Sequence, residues 1–181
     1  MGGMSVFIAL LRGINVGGRN RIPMQELRSL CGSLGWADVQ TYIQSGNVIF
    51  RAEAVASALE NDLECTIERD LGLSIPVLVR AAADWPVYVR GNPFPDASEK
   101  EPNRVMLALS KDPPRNTAVE ELLERAKDGE QIARVGDALW FYYPGGAGTS
   151  KLSPALVDRL TGSSVTARNW RTVLQLDELA R

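Results

Sequence analysis

Short apolar runs and amphipathic stretches follow one another along this chain in the order strand, helix, strand, strand, helix, strand. Few architectures accept that order, because each short run must pair with another and each amphipathic stretch must cover a sheet. Ser5 to Leu11 (SVFIALL) is an apolar run bounded by Gly13 and predicts a buried strand. Gly13 to Arg21 (GINVGGRNR) predicts a loop. Pro23 suits the first turn of a helix, and Met24, Leu27, Leu30, Cys31 and Leu34 share one stripe before Gly35 closes it. Val39 to Ile43 and Val48 to Phe50 are β-rich runs around Ser45-Gly46-Asn47, a hairpin signal. Ala54 to Leu71 predicts a long helix, with Val55, Leu59, Leu63 and Ile67 on one face and Gly72 after it. Ile75 to Val79 completes the set as a strand. This is the split βαβ order of a ferredoxin-like unit, with four antiparallel strands and two helices on one face.

The second half repeats the order loosely, with little residue identity. A short helix around Trp85 to Val89 and the loop Asn92-Pro93-Phe94-Pro95 form a link. Arg104 to Leu109 predicts a strand, and Thr117 to Lys127 a helix with Val119, Leu122, Leu123 and Ala126 inward. Gln131 to Val135 and Ala138 to Tyr143 flank the turn Gly136-Asp137. Ser153-Pro154 caps a helix to about Leu160, closed by Gly162. Val165-Thr166 is a final short strand, and Arg168 to Leu179 reads as a terminal helix. The expected fold is α+β: two tandem ferredoxin-like (βαββαβ) halves with antiparallel sheets. The expected division is 1–82, a linker over 83–103, and 104–181. A single large α+β sheet is the alternative.

The 181 residues contain no histidine. That excludes Ser-His-Asp and Cys-His catalysis, histidine-ligated zinc and imidazole proton transfer. Cys31 and Cys65 are too few for a disulfide framework or metal knuckle and read as two reduced core thiols. No metal or cofactor is expected. No signal peptide pattern or membrane-length apolar run is visible, so a cytoplasmic location is expected. Met1 and Met4 are alternative starts.

Charge is uneven. Residues 1–52 carry a net +3, residues 53–133 a net −7, and residues 134–171 a net +3, within an overall −2. A fold that joins the two basic blocks would make one positive patch on an acidic protein. Sixteen of the twenty basic residues are Arg, the side chain suited to bidentate contact with phosphate or carboxylate. Coding bias accounts for the arginine count equally well.

Three stretches carry a resemblance: ALLRGINVGGRNRI…M…L over residues 9–27, TYIQSGNVIF over 41–50, and TARNWRTVLQL over 166–176, with NPFP at 92–95 in addition. Together they resemble the signature stretches of a bacterial family, domain of unknown function 1697. The resemblance implies two tandem ferredoxin-like halves and no particular activity. Arg171 departs from the family pattern, which more often carries Asn there.

Four motifs are candidates for chemistry. Gly13 to Asn20 has the glycine spacing of a phosphate-binding P-loop, but Arg19 and Asn20 stand where that loop needs Lys and Ser/Thr. An ATPase loop is therefore not expected. A looser anion cradle remains, with Arg12, Asn15, Arg19 and Arg21 around glycine N–H groups; a plain turn with solvated arginines is the alternative. Ser45, Asn47 and Gln44 are either hairpin residues or polar contacts beside that loop. Ser45 has no local base to make it a nucleophile. Tyr143 to Lys151 (YPGGAGTSK) is a second cradle candidate, or a surface loop. In TARNWRT, Arg168 and Arg171 share a face if helical, Thr166 is a candidate N-cap, and Asn169 caps or binds a neighbouring loop. The carboxylate rows Glu60/Glu64/Glu68 and Glu120/Glu121/Glu124 read as solvated helix faces. In LWFYY (139–143), alternation sets Trp140 and Tyr142 against Phe141 and Tyr143, without the basic-glycine element of an RNA-binding sheet.

The expected ligand site comprises Arg12, Asn15, Arg19, Ser45, Asn47, Arg168 and Asn169. The expected partner is a small anionic ligand (nucleotide or phosphorylated metabolite) or a nucleic-acid backbone, with no membrane partner. A histidine-free enzyme using Arg and carboxylate chemistry, or an interaction module, are the alternatives.

Overall fold

The structure is a computed structural model that describes residues 3–181, so the alternative start at Met1 lies outside the described residues. The chain divides into two compact units, Met1–Pro86 with Leu176–Arg181, and Val87–Gln175.

The first unit contains β1 (Ser5–Leu11), α1 (Met24–Ser33), β2 (Ala37–Tyr42), β3 (Asn47–Ala52), α2 (Ala56–Leu71) and β4 (Val77–Ala81). Its strands form one antiparallel sheet in the order β2-β3-β1-β4. The alternating side chains Phe7, Ala9, Leu11, Val48, Phe50, Val77 and Val79 meet Leu27, Leu30, Leu59, Leu63 and Ile67 of the helices in one core. Trp36 stacks on Phe50 at 3.8 Å between ring centroids. The opposite alternation, Ile8, Leu10, Ile49 and Leu78, is buried as well. Gly35 (φ +78°) follows α1 and Gly72 (φ +67°) ends α2 in the left-handed region that an unbranched glycine tolerates.

The second unit repeats the order: α3 (Trp85–Arg90, which starts at the boundary), α4 (Pro95–Lys100), then β5 (Val105–Ser110), α5 (Ala118–Arg125), β6 (Gln131–Val135), β7 (Ala138–Tyr142), α6 (Pro154–Thr161) and β8 (Val165–Asn169), followed by α7 (Trp170–Leu179). The sheet order is β6-β7-β5-β8, the same spatial arrangement as the first. Leu122, Val157 and Leu160 of the helices pack on Ala108, Leu139 and Phe141. The fold is thus α+β with two tandem ferredoxin-like units, and not one large sheet. Among the described residues, no helix is long and apolar enough to cross a membrane.

Several local expectations need correction. The Asn92–Pro95 loop ends in a helix, because Pro95 takes the first turn of α4. The stretch after Thr166 stays extended for three more residues, to Asn169, so Arg168 lies on β8 and shares no helical face with Arg171. Thr166 is buried within β8 and is not the cap; Asn169 is, its Oδ1 accepting from Thr172 N at 3.0 Å. Leu123 is exposed on α5, while Ala118 and Leu122 face the core. Cys31 is a buried free thiol as expected, and burial pushes it up to about 12. Cys65 is a free thiol on the exposed side of α2 instead.

The carboxylates of α2 are not simply solvated. Glu64 Oε1 accepts from Val77 N at 2.7 Å, and Glu60 Oε1 accepts from Val79 N at 2.9 Å. β4 is an edge strand, so these N–H groups point away from β1. Two acids one helical turn apart match the two-residue repeat of the strand edge. They satisfy donors that would otherwise invite another strand. Glu60 also pairs with Arg80 at 3.6 Å.

Candidate functional site

The loop after β1 is held by one side chain. Asn15 sits at φ +55°, a conformation that asparagine tolerates better than most residues. Its Oδ1 accepts from Ile22 N at 2.9 Å, and its Nδ2 donates to Ile22 O at 3.0 Å and to Gln44 O at 2.8 Å. Its own N–H donates to Asn20 O at 3.1 Å, and Asn20 Nδ2 donates to Gly13 O at 3.1 Å. The loop is therefore closed on itself and tied to the β2–β3 turn.

That turn meets the loop from the other side. Gly46 (φ +85°) lies so close to Ile14 and Leu11 that a Cβ there would stand 2.7 Å from Ile14 Cδ1. Its carbonyl accepts from Leu11 N at 2.8 Å. Asn47, wholly buried, donates from Nδ2 to Tyr42 O at 2.9 Å and to Ser45 Oγ at 3.0 Å. Loop and turn form one hydrogen-bonded block, which brings Arg12, Asn15, Arg19, Ser45 and Asn47 into the same end of the first unit. Asn15, Ser45 and Asn47 direct hydrogen bonds inward and build the block.

The outer face of the block carries the charge. Gly17 (φ +58°) and Gly18 (φ +74°) form its exposed tip, closed by Arg19 N donating to Val16 O at 3.0 Å. Arg19 and Arg21 are exposed, and their guanidinium groups make no hydrogen bond or ion pair with the described residues. Arg12 is half-buried, with its N–H donating to Pro76 O at 3.0 Å. Val16 (64% exposed) and Ile43 (50% exposed, φ +49°) add apolar surface. The positive φ of Ile43 is strained for a β-branched residue, and no sequence signal announces it.

The remaining candidates lie in the second unit. Arg168 is 9% exposed, on the β8 face that holds Thr166; its Nη1 donates to Ala167 O at 2.9 Å, and burial lowers it to about 10. Asn169 is the α7 cap described above. The glycine-rich stretch before α6 is shaped around a carboxylate of the protein. Glu130 Oε1 accepts from Ser150 Oγ at 2.5 Å, and Glu130 Oε2 accepts from Asp128 N at 2.8 Å. A buried carboxylate at its base disfavours a second anion there. Trp140 and Phe141 of β7 and Tyr143 just after it are buried, and half-buried Tyr142 donates to Glu101 Oε2 at 2.5 Å. These rings serve packing and present no stacking platform.

A repeated βαββαβ unit with one hydrogen-bonded loop block at the end of its first sheet defines the class of this α+β protein. The chain belongs to the family described as Protein of unknown function (DUF1697), whose model matches residues 4–140. That match includes the loop, the β2–β3 hairpin and the NPFP stretch, and ends before residues 166–176. Among solved structures the chain is similar to the conserved bacterial protein SP0830 from Streptococcus pneumoniae. The two share 23% identity over 99% of this chain and 100% of that one, with a TM-score of 0.74. At this identity the likeness speaks for the fold. A comparison with the curated proteins finds no match.

Proposed function

We propose that this is a cytoplasmic binding protein whose loop block, Gly13 to Ile22 with Tyr42 to Asn47, holds an anionic ligand. The ligand class is a nucleotide, a phosphorylated metabolite or a nucleic-acid backbone. The observation that carries the reading is the pairing of a rigid frame with unspent charge. Asn15, Ser45 and Asn47 fix the backbone, while Arg19 and Arg21 stand exposed beside Gly17 and Gly18 without a carboxylate partner. A fixed loop loses little entropy on binding, and arginines already free of ion pairs need not break one. Arg12 flanks the block as a third cation. Arg168 and Asn169 support β8 and α7, so the proposed contact rests on the first-unit loop. Two free cysteines are in keeping with a reducing compartment.

A thermal-shift screen with nucleotides, phosphosugars and short oligonucleotides at two salt concentrations tests the reading. A ligand at about one hundred times its Kd stabilises by about 2.7 kcal/mol. For a chain of this length that raises Tm by about 5 °C or more, and the rise shrinks at high salt. No rise with any anion, or a rise unchanged in Arg19→Ala/Arg21→Ala, overturns it.

A further inference from the structure

We propose that the second unit carries a separate oxyanion site, a surface cleft at the end of α6 that takes a phosphate monoester group. The cleft, about 480 Å³ and open to solvent, is lined by Arg115, Asp158, Arg159, Gly162, Ser163 and Ser164, with Ala155 at its edge.

Its walls are cross-tied. Arg115 N donates to Thr161 O at 3.0 Å, and Asp112 N donates to Ser163 Oγ at 3.3 Å. Gly162 closes α6 at φ +104°, and the Arg115 side chain lies across it so closely that a Cβ at Gly162 would stand 2.8 Å from Arg115 Nε. The guanidinium is thus carried over the cleft on a stem that only glycine accommodates. The balance of donors and acceptors points to an anion. The Arg115 and Arg159 guanidinium groups and the Ser164 hydroxyl have no partner among the described residues. The Ser163 hydroxyl, already an acceptor, keeps its proton to donate. Against them stands one carboxylate, Asp158, whose Oδ1 accepts from Val165 N at 2.9 Å. Two guanidinium forks and two hydroxyls suit a tetrahedral dianion, and the open mouth leaves room for the body that carries it.

The site is independent of the first-unit loop, and a residue-resolved titration separates the two. The ¹⁵N-labelled full chain is titrated with inorganic phosphate, glycerol phosphate and, as the carboxylate arm, succinate at matched ionic strength. Both phosphates are expected to move the amides of Gly162, Ser163 and Ser164 and the Arg115 Nε signal. Arg115→Ala and Arg159→Ala should each weaken binding about tenfold, with the rest of each spectrum unchanged as the check on folding. Asp158→Asn keeps the acceptor for Val165 N, removes a like charge and should tighten binding. Unmoved cleft signals at about 50 mM phosphate, far above the millimolar range of a weak contact, overturn the proposal. So does binding equal to wild type in both arginine variants, or a stronger response to succinate. Shifts confined to Gly17 and Gly18 support the loop reading and overturn this one.

Discussion

The side-chain amide of Asn15 donates to the carbonyl of Gln44 at 2.8 Å, across 29 residues of sequence. The same Nδ2 also donates to the carbonyl of Ile22, and Oδ1 accepts from the Ile22 N–H. One asparagine thus closes the β1–α1 loop and fastens it to the β2–β3 turn. Loop order and loop charge become separable by mutation.

Replacing Asn15 tests that separation. Asn15→Ala removes three hydrogen bonds and places a Cβ-only residue at positive φ; it should cost about 2–4 kcal/mol. Asn15→Gly loses the same bonds without the backbone penalty and should be less damaging by about 1 kcal/mol. Urea denaturation of the two variants checks both the cost and the order.

Gly46 is required for space as well as for φ. Gly46→Ala sets a methyl against Ile14 Cδ1 and, at 2.8 Å, Leu11 Cβ. The expected loss is about 2–4 kcal/mol from overpacking and backbone strain. Trimming the flexible partner with Ile14→Val should restore little, because Leu11 Cβ belongs to β1 and cannot retreat. Thermal denaturation of the single and double variants decides this.

The acids of α2 guard an edge. Glu64→Ala should raise the hydrogen-exchange rate of the Val77 amide, and Glu60→Ala that of Val79, each at a cost of about 1–2 kcal/mol. Glu64→Gln keeps the accepting oxygen and should leave the Val77 rate near wild type. Equal rates in Glu64→Ala and wild type would remove the latch.

Glu130 sets a pH response. Burial pushes its carboxyl up, but the Ser150 hydroxyl and the backbone N–H groups of Lys127, Asp128 and Glu130 itself together pull it down further, and it ends below the ordinary value. A carboxylate depressed in the folded state contributes stability above its unfolded pKa and loses it as pH falls through the folded one. Stability should therefore decline below about pH 4.5, the ordinary value for Glu. Glu130→Gln should flatten that part of the profile, as read by denaturant titration between pH 7 and pH 3.

The order of elements was legible because period and punctuation agree: Ser5–Leu11 is a strand end to end, and Gly35, Gly72 and Gly162 close helices in positive φ. β8 was half-hidden. Its Thr-Ala-Arg-Asn run has weak β character and abuts a helical stripe, so the sequence pattern places the helix start at Arg168, whereas pairing with β5 draws Arg168 and Asn169 into the sheet. Asn15 and Asn47 are both visible as site residues; the Asn47 bonds to Tyr42 O and Ser45 Oγ are local hairpin chemistry, whereas the Asn15 bond to the Gln44 carbonyl, 29 residues away, depends on tertiary contact. The same holds for Glu60 and Glu64, whose periodicity alone matches that of a solvated face. Cys65 and Leu123 were misplaced because a helical stripe defines a direction and leaves its width open.

The central claim is that the loop block binds an anion through exposed arginines on a fixed frame. The most direct measurement is an amide titration of the full chain with inorganic pyrophosphate, in wild type and in Arg19→Ala/Arg21→Ala, at low and high salt. Saturable shifts of Gly17, Gly18 and Arg19 are expected in the wild type. They should weaken with salt and be lost in the double variant, whose remaining spectrum is unchanged. Unmoved loop signals in the wild type, or equal shifts in the double variant, would contradict it.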